Sequence, residues 1–243
     1  MIFIGIDLAW SERNASGVAA LSADKAKVLV ARTARSDEEI LDFVQEQAGD
    51  KSCIIAIDAP LIVPNRKKGS RKNSRRMFQE IQRRSAPGKQ DKADAVDRKN
   101  QGRRDSKLIK IGFEHNPSIK KHEKTRKFFE VYPHPSMVVL FNLGSILKYK
   151  AKPKRTYESR WKKFKKYTEK LTKLSNPRIV LPKEFTGKTQ FRGKQLKTFE
   201  DRLDAIFCAY IAHYNWCHPE RCRILEDMKK GYISTSVFDR KIY

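Results

Sequence analysis

The sequence contains little of what marks secreted disulfide proteins or membrane proteins. Its 243 residues include four cysteines, Cys53, Cys208, Cys217 and Cys222, too few for a disulfide framework in a chain of this length. No apolar run approaches the roughly 18–20 residues that a membrane span needs. The opening, MIFIGIDLAW, has neither a basic leader nor a cleavage site, so we expect no signal peptide. These absences predict a protein of the reducing cytoplasm.

Acidic residues are also scarce relative to basic ones. Asp and Glu number 28 against 53 Lys and Arg, which gives a formal net charge of +25. Two segments hold the whole excess: residues 66–127 contain 22 basic and 7 acidic residues, and residues 148–173 contain 12 and 2. A surface kept charged for solubility would mix the signs. The imbalance therefore predicts a polyanionic partner, first nucleic acid and second an acidic membrane surface.

The apolar pattern predicts an α/β protein with a mixed central sheet flanked by helices. Short apolar runs predict strands over 2–7, 18–21, 26–31, 53–57 and 128–132, and residues 231–237 are either a last strand or an extended tail. Helices are predicted over 36–47, 135–143, 157–174 and 199–216, the first with a capping box formed by Ser36 and Glu39. We expect one domain over 1–243, with 66–127 as a basic, partly helical insertion.

Carboxylates stand where apolar elements should continue. Asp7 and Asp58 each close an isoleucine-rich strand, Glu130 lies within another strand, and Asp201 and Asp204 share one face of an apolar helix. A buried carboxylate is costly unless it is paired or bound to a metal. Mg²⁺ or Mn²⁺ would account for the whole group, since both prefer oxygen ligands, and such ions can activate water against a phosphodiester.

Each of these carboxylates also has a structural alternative. Asp7 and Asp58 are of a type common in turns that follow strands. Asp201 is equally suited to capping the last helix, and Glu130 could pair with a lysine of the insertion. Asp204 is the hardest to explain in this way, because it lies inside an apolar helix.

Several motifs, in this order along the chain, resemble the domain of unknown function 429 family. They are GIDLAW at 5–10, AIDAPL at 56–61, EVYPHP at 130–135, the pair Tyr149 and Lys150 with Arg160 following, and DRLDAIFCAYIA at 201–212. Members of that family are predicted nucleases with an RNase H-like fold. A first-strand Asp together with D-x-x-D in a C-terminal helix is also similar to the RuvC-type resolvases.

The resemblance implies a sheet of order 3-2-1-4-5 whose first three strands are antiparallel. Asp7 would then lie beside Asp58, the C-terminal helix would cross the sheet and supply Asp204, and Glu130 would enter from the following strand. The implied metal ligands are Asp7, Asp58, Glu130 and Asp204, with Asp201 as an additional catalytic residue. The long basic insertion departs from the family, so the substrate preference is not implied.

Basic residues predict where a nucleic acid backbone would be held. Helix 157–174 alternates lysines with Trp161, Phe164 and Tyr167, so the lysines would neutralise phosphates. The aromatic side chains would either stack on bases or face the core while the lysines extend to solvent. The predicted nucleic-acid-binding residues are Arg71, Lys72, Arg75, Arg76, Lys150, Arg160, Lys162, Lys163, Lys165 and Lys166.

Two further groups of residues each have a functional and a structural interpretation. His213, Cys217, His218 and Cys222 have the spacing of a zinc site, although a free cysteine is often simply a small buried residue. His134 follows Glu130 closely enough to transfer a proton near the metal, or it is an ordinary loop residue.

The leading prediction is a cytoplasmic, divalent-metal-dependent nuclease acting on DNA or RNA. The alternative is a non-catalytic nucleic-acid-binding protein on a degenerate RNase H-like scaffold. A third reading, an actin-like phosphotransferase or ATPase, lacks an evident glycine-rich nucleotide motif, and the absence of a P-loop sequence counts against a P-loop ATPase. A homodimer is expected if the substrate is a DNA junction.

Overall fold

The computed structural model describes residues 1–9, 14–62, 107–187, 190–228 and 231–238. Six of the described strands form one mixed sheet in the order β3-β2-β1-β4-β6-β5. They are β1 (Ile2–Asp7), β2 (Ser16–Ser22), β3 (Val28–Ala34), β4 (Cys53–Asp58), β5 (Glu114–His115) and β6 (Arg126–Glu130). β1, β2 and β3 are antiparallel neighbours, whereas β1, β4, β6 and β5 run parallel to one another. β7 (Cys222–Asp227) and β8 (Gly231–Ser236) form a separate hairpin.

Helices cover both faces of the sheet. Besides the helical residues 107–110, the α-helices in the described ranges are α1 (Asp37–Ala48), α2 (Pro133–Leu140), α3 (Tyr157–Thr172), the short α4 (Lys183–Thr186) and the long α5 (Gly193–Cys217). Ser36 caps α1 by accepting from the amide of Glu39, and the Glu39 carboxylate accepts from the amide of Arg35. None of the described helices is long and apolar enough to span a membrane.

The central strands are apolar on both sides, and each side has its own core. Alternate residues such as Phe3, Ile54 and Phe129 pack with α5 and α3, while Ile4, Ile57 and Phe128 pack with α1. Successive side chains of a strand point to opposite faces. Along each strand, side chains therefore alternate between the face covered by α5 and the face covered by α1.

Helix α5 lies unusually close to the sheet because two strand residues have no side chain. A Cβ placed on Gly5 would lie 2.0 Å from the carbonyl oxygen of Ala205, and one on Gly17 would lie 2.0 Å from that of Asp201. Only glycine permits such an approach of one backbone to another. The two glycines thus set where the carboxylates of α5 stand over β1 and β2.

The structure differs from the sequence prediction mainly at element ends and in two short strands. β5 and β7 were not predicted, and α5 begins at Gly193 rather than at 199. Residues 107–127 were assigned to the insertion, yet Leu108 and Phe113 are buried in the core beside α1 and β6 begins at Arg126. Residues 63–106, which hold the rest of the predicted insertion, lie outside the described ranges.

Candidate acidic site

Asp7 and Asp58 end the two central strands side by side. They are register partners in the parallel pair β1 and β4, so both side chains point to the face covered by α5. Asp7 is 9 % exposed, and its carboxylate and that of Asp58 interact directly. The predicted juxtaposition of these two carboxylates is present.

Asp204 joins them from helix α5. It is buried, and its Oδ1 accepts a hydrogen bond of 2.7 Å from the Tyr149 hydroxyl. The Lys150 ammonium lies 2.9 Å from Asp204 Oδ2 and 4.0 Å from Asp7 Oδ1. Tyr149 therefore contacts one oxygen of Asp204 and Lys150 contacts the other, and Lys150 also approaches Asp7. We call Asp7, Asp58, Asp204 and Lys150 the acidic site.

The carboxylates of the site are crowded in a poorly solvated place. Burial raises the pKa of Asp7 well above its ordinary value; Lys150 opposes the rise, and the charges of Asp204 and Asp58 add to it. Burial likewise raises the pKa of Asp58 to about 6, against the opposing effect of Lys150. Although burial lowers the pKa of Lys150, the carboxylates outweigh it and hold that pKa well above the usual value. Three carboxyl groups therefore face a single lysine, and burial together with their mutual repulsion disfavours the ionised forms of Asp7 and Asp58.

Glu130 does not join this group, contrary to the prediction. Its register partner in β4 is Ile57, not Asp58, so its side chain points to the opposite face of the sheet. There Glu130 Oε2 accepts a hydrogen bond of 2.9 Å from the amide of Leu61. The side chain is 2 % exposed. In this structure it ties the segment after β4 to β6.

Asp201 and its neighbour Glu200 have partners of their own. Asp201 forms an ion pair with Lys197 one helical turn away, and its backbone packs on Gly17. Glu200 accepts a hydrogen bond of 2.8 Å from Arg160, whose Nε also donates to the Tyr149 carbonyl. Burial raises the pKa of Glu200 to about 7, and Arg160 opposes the rise. This pair joins α3 to α5 and fixes the backbone that carries Tyr149 and Lys150.

The basic residues divide into two groups. Lys150 and Arg160 face internal carboxylates, although both were predicted to contact nucleic acid. Lys162, Lys163, Lys165 and Lys166 are exposed on α3, whereas Trp161, Phe164 and Tyr167 are buried. The aromatic stripe therefore belongs to the core, as in the second alternative above. Arg71, Lys72, Arg75 and Arg76 lie outside the described residues.

His134 lies beside the acidic site. Its ring centroid is 5.5 Å from that of Tyr132 and 6.4 Å from that of Tyr149. The buried Nδ1 atom forms no hydrogen bond with any residue that the structure describes. Burial lowers the pKa of His134 to about 4, and Lys150 contributes to the same effect. The imidazole is therefore neutral at pH 7.

No three carboxylate, imidazole or thiol groups among the described residues gather closely enough to hold a metal as they stand. The same holds for the four residues with zinc-like spacing. His213 stacks on Phe3 at 4.5 Å between ring centroids, and His218 interacts with Asn176 at 2.9 Å. In the acidic site, the bridging position between Asp204 and Asp7 is taken by the Lys150 ammonium.

Sequence reasoning missed two parts of this arrangement. Tyr149 was singled out as part of a motif but was given no role, and it proves to orient Asp204. Glu200 was not identified at all. The sequence did contain a signal for Glu200. It precedes Asp204 by one helical turn, and a buried carboxylate there needs a cation from a neighbouring element.

Fold and site together define a mixed α/β protein with a carboxylate cluster at the carboxyl ends of its two central strands. The chain belongs to the family described as Protein of unknown function (DUF429), whose model matches residues 5–229. No curated protein and no solved structure matches the chain.

Proposed function

We propose that this protein is a cytoplasmic, divalent-metal-dependent nuclease of RNase H-like fold that hydrolyses phosphodiester bonds of DNA or RNA. One observation carries the proposal: three carboxylates from β1, β4 and α5 converge at one edge of the sheet in a chain of net charge +25. Three antiparallel strands followed by a parallel β4 beside β1, with a C-terminal helix across them, support the RNase H-like assignment.

The donor set fits Mg²⁺ or Mn²⁺. Asp7, Asp58 and Asp204 offer only oxygen ligands, and an ammonium already stands between two of them as a cation. When bound, the ion would polarise the phosphate and lower the pKa of a water molecule. Tyr149 would keep Asp204 Oδ1 occupied, so that Oδ2 is turned to the ion. Arg160 would hold the Tyr149 backbone in place.

The phosphate backbone would run over the exposed lysines of α3. These four residues, Lys162, Lys163, Lys165 and Lys166, lie on the helix whose Arg160 ties it to the residues next to the acidic site. Replacing all four by Gln should leave folding intact, because their side chains are exposed. Each lost phosphate contact lowers the salt dependence of duplex binding by about 0.9 in log K against log [salt], so we expect the slope to become less steep by about 2–4. An unchanged slope would place the nucleic acid elsewhere.

The activity is tested with a panel of labelled DNA and RNA structures in Mn²⁺, Mg²⁺ or EDTA. Asp7→Asn and Asp204→Asn should each reduce cleavage by at least about 100-fold, more than the loss of a residue that merely orients a metal ligand, and leave binding largely intact. The matched control is Asp42→Asn, which removes an exposed carboxylate from α1 and should cleave like the wild type. Retained cleavage in either site variant would refute the assignment. If a junction is the preferred substrate, a homodimer is expected.

A non-catalytic nucleic-acid-binding protein is the second candidate. The observation that favours it is the Lys150 ammonium, which neutralises Asp204 without a metal. Binding that is indifferent to EDTA, with no products from any substrate in the panel, would establish it.

A further inference from the structure

The position of Lys150 raises the question of how a metal would enter the acidic site. Lys150 Nζ contacts Asp204 Oδ2 at 2.9 Å and approaches Asp7 Oδ1 to 4.0 Å. A divalent ion that used these oxygens would meet a positive charge already seated against them. Both cations cannot hold the same two oxygens at short range, because like charges at such a separation in a poorly solvated place repel strongly.

The side chain of Lys150 reaches solvent, whereas the backbone that carries it is held in place. Its side chain is 38 % exposed, against 2 % for Asp204. Tyr149 and Arg160, in contrast, hold the adjacent backbone by buried or partly buried hydrogen bonds. A long flexible side chain on a fixed backbone is suited to swing outward while its anchor stays in place.

We propose that Lys150 is an internal counter-cation of the acidic site, which a divalent ion displaces on binding, so that Lys150 sets the metal affinity of the protein. This inference rests on the proposed function, because it presupposes that the carboxylates bind a metal. Without the metal, Lys150 stabilises the three carboxylates; with the metal, its ammonium is released toward the opening of the site, where a phosphate would approach. Lys150 is thus a regulator of the site rather than one of the residues that hold the ion.

The test is the affinity for MnCl₂ alone, measured by isothermal titration calorimetry on Lys150→Met and wild type. Met keeps an unbranched stem close to that of Lys and removes the ammonium group. Removing a competing unit charge from this distance should tighten Mn²⁺ binding at least about tenfold. Lys183→Met is the matched control: it removes the same charge from an exposed position on α4 and should bind Mn²⁺ as the wild type does. Lys150→Arg keeps the charge and should stay within about threefold of the wild type.

Thermal unfolding supplies a second measurement, because Lys150→Met leaves three carboxylates without their cation. This variant should unfold at a lower temperature than the wild type in EDTA and gain more from Mn²⁺, since the stabilisation by a ligand grows with the logarithm of its concentration over its Kd. If the wild type binds Mn²⁺ and Lys150→Met binds it equally or more weakly, the inference about Lys150 is wrong, but the protein still has a metal site. Failure of both proteins to bind Mn²⁺ would overturn the inference and the metal site together.

Discussion

The two faces of the sheet carry carboxylates near the same edge and neutralise them in different ways. On the face covered by α5, the Tyr149 hydroxyl donates to Asp204, and Lys150 contacts Asp204 and approaches Asp7, beside which Asp58 lies. On the face covered by α1, Glu130 accepts a hydrogen bond from a backbone amide, and its own amide donates to the Tyr232 hydroxyl at 3.0 Å. The first group sets three carboxyl groups against one ammonium, whereas the second is a connection within the fold.

The two faces of the sheet should differ most in how much a change in side-chain volume lowers the free energy of unfolding. Gly5→Ala would place a Cβ 2.0 Å from the carbonyl oxygen of Ala205 and 2.2 Å from the amide of Ala209. Because both atoms belong to helix backbone, the whole of α5 would have to move away from β1. We expect a loss of more than about 4 kcal/mol in the free energy of unfolding, or no folded protein, as measured by urea denaturation.

Two controls sharpen this prediction. Ile6→Val, on the α1 face of the same strand, should cost only about 0.5–1.5 kcal/mol. Gly144→Ala adds a methyl group that has, among the described residues beyond its two chain neighbours, no atom within 4 Å, and it should change stability by less than about 0.5 kcal/mol. Equal losses for Gly5→Ala and Ile6→Val would mean that α5 is not held closely against β1.

The next difference concerns pH. The pKa of Asp58 is about 6 in the folded protein against 3.8 as the ordinary value. Between these values the folded state retains a proton that the unfolded state has lost, so stability falls as the pH rises through this interval. In metal-free buffer, the contribution of Asp58 should decline by up to about 3 kcal/mol between pH 4 and pH 7.

Asp58→Asn should remove that decline, because the amide does not titrate. Urea denaturation at several pH values, with EDTA present, measures the difference between variant and wild type. The control Asp42→Asn, on the exposed surface of α1, should follow the wild-type curve. A difference between Asp58→Asn and wild type that does not vary with pH would show that Asp58 is not crowded by the other carboxylates.

The smallest effect is expected on the α1 face. Glu130→Gln keeps an oxygen that can accept from the Leu61 amide, so we expect a change below about 1 kcal/mol in unfolding free energy and no change in metal-dependent cleavage. Glu130→Leu removes the acceptor and should cost about 1–3 kcal/mol. Asp7→Asn is expected to lose cleavage. If Glu130→Gln lost it as well, Glu130 would belong to the acidic site, and the distinction drawn here between the two faces of the sheet would be wrong.

These contrasts also explain what could be predicted from the sequence. Asp7 and Asp58 stood out in the sequence because each ends an isoleucine-rich run, and the family resemblance placed them side by side because it implied that the first and fourth strands are neighbours. Glu130 was placed wrongly because the face on which a residue lies depends on the register between β4 and β6. β6 begins at Arg126, two residues before the apolar run suggested, and no pattern within a single strand reveals its register with another.

Lys150 and Arg160 illustrate a second limit. Their segment, 148–173, carries a large basic excess, and counting charges assigned both residues to an external polyanion. The direction of each side chain depends on which acids the fold places beside it, and these acids come from a distant helix: Glu200 lies 40 residues after Arg160, and Asp204 lies further still after Lys150. The four lysines of α3 are predicted more easily, because a regular helix with an aromatic stripe leaves them only the outer face.

The contact between Gly5 and α5 also bears on the order of events during synthesis. The strand that carries Asp7 is among the first parts of the chain to be made, but the helix that supplies Asp204 begins at residue 193. At ribosomal rates of about 5–20 residues per second, roughly 10–40 s separate the two. For that period the helix that lies closest to β1 and β2 is missing from this side of the nascent sheet, so we expect the unfinished chain to be most exposed to aggregation there.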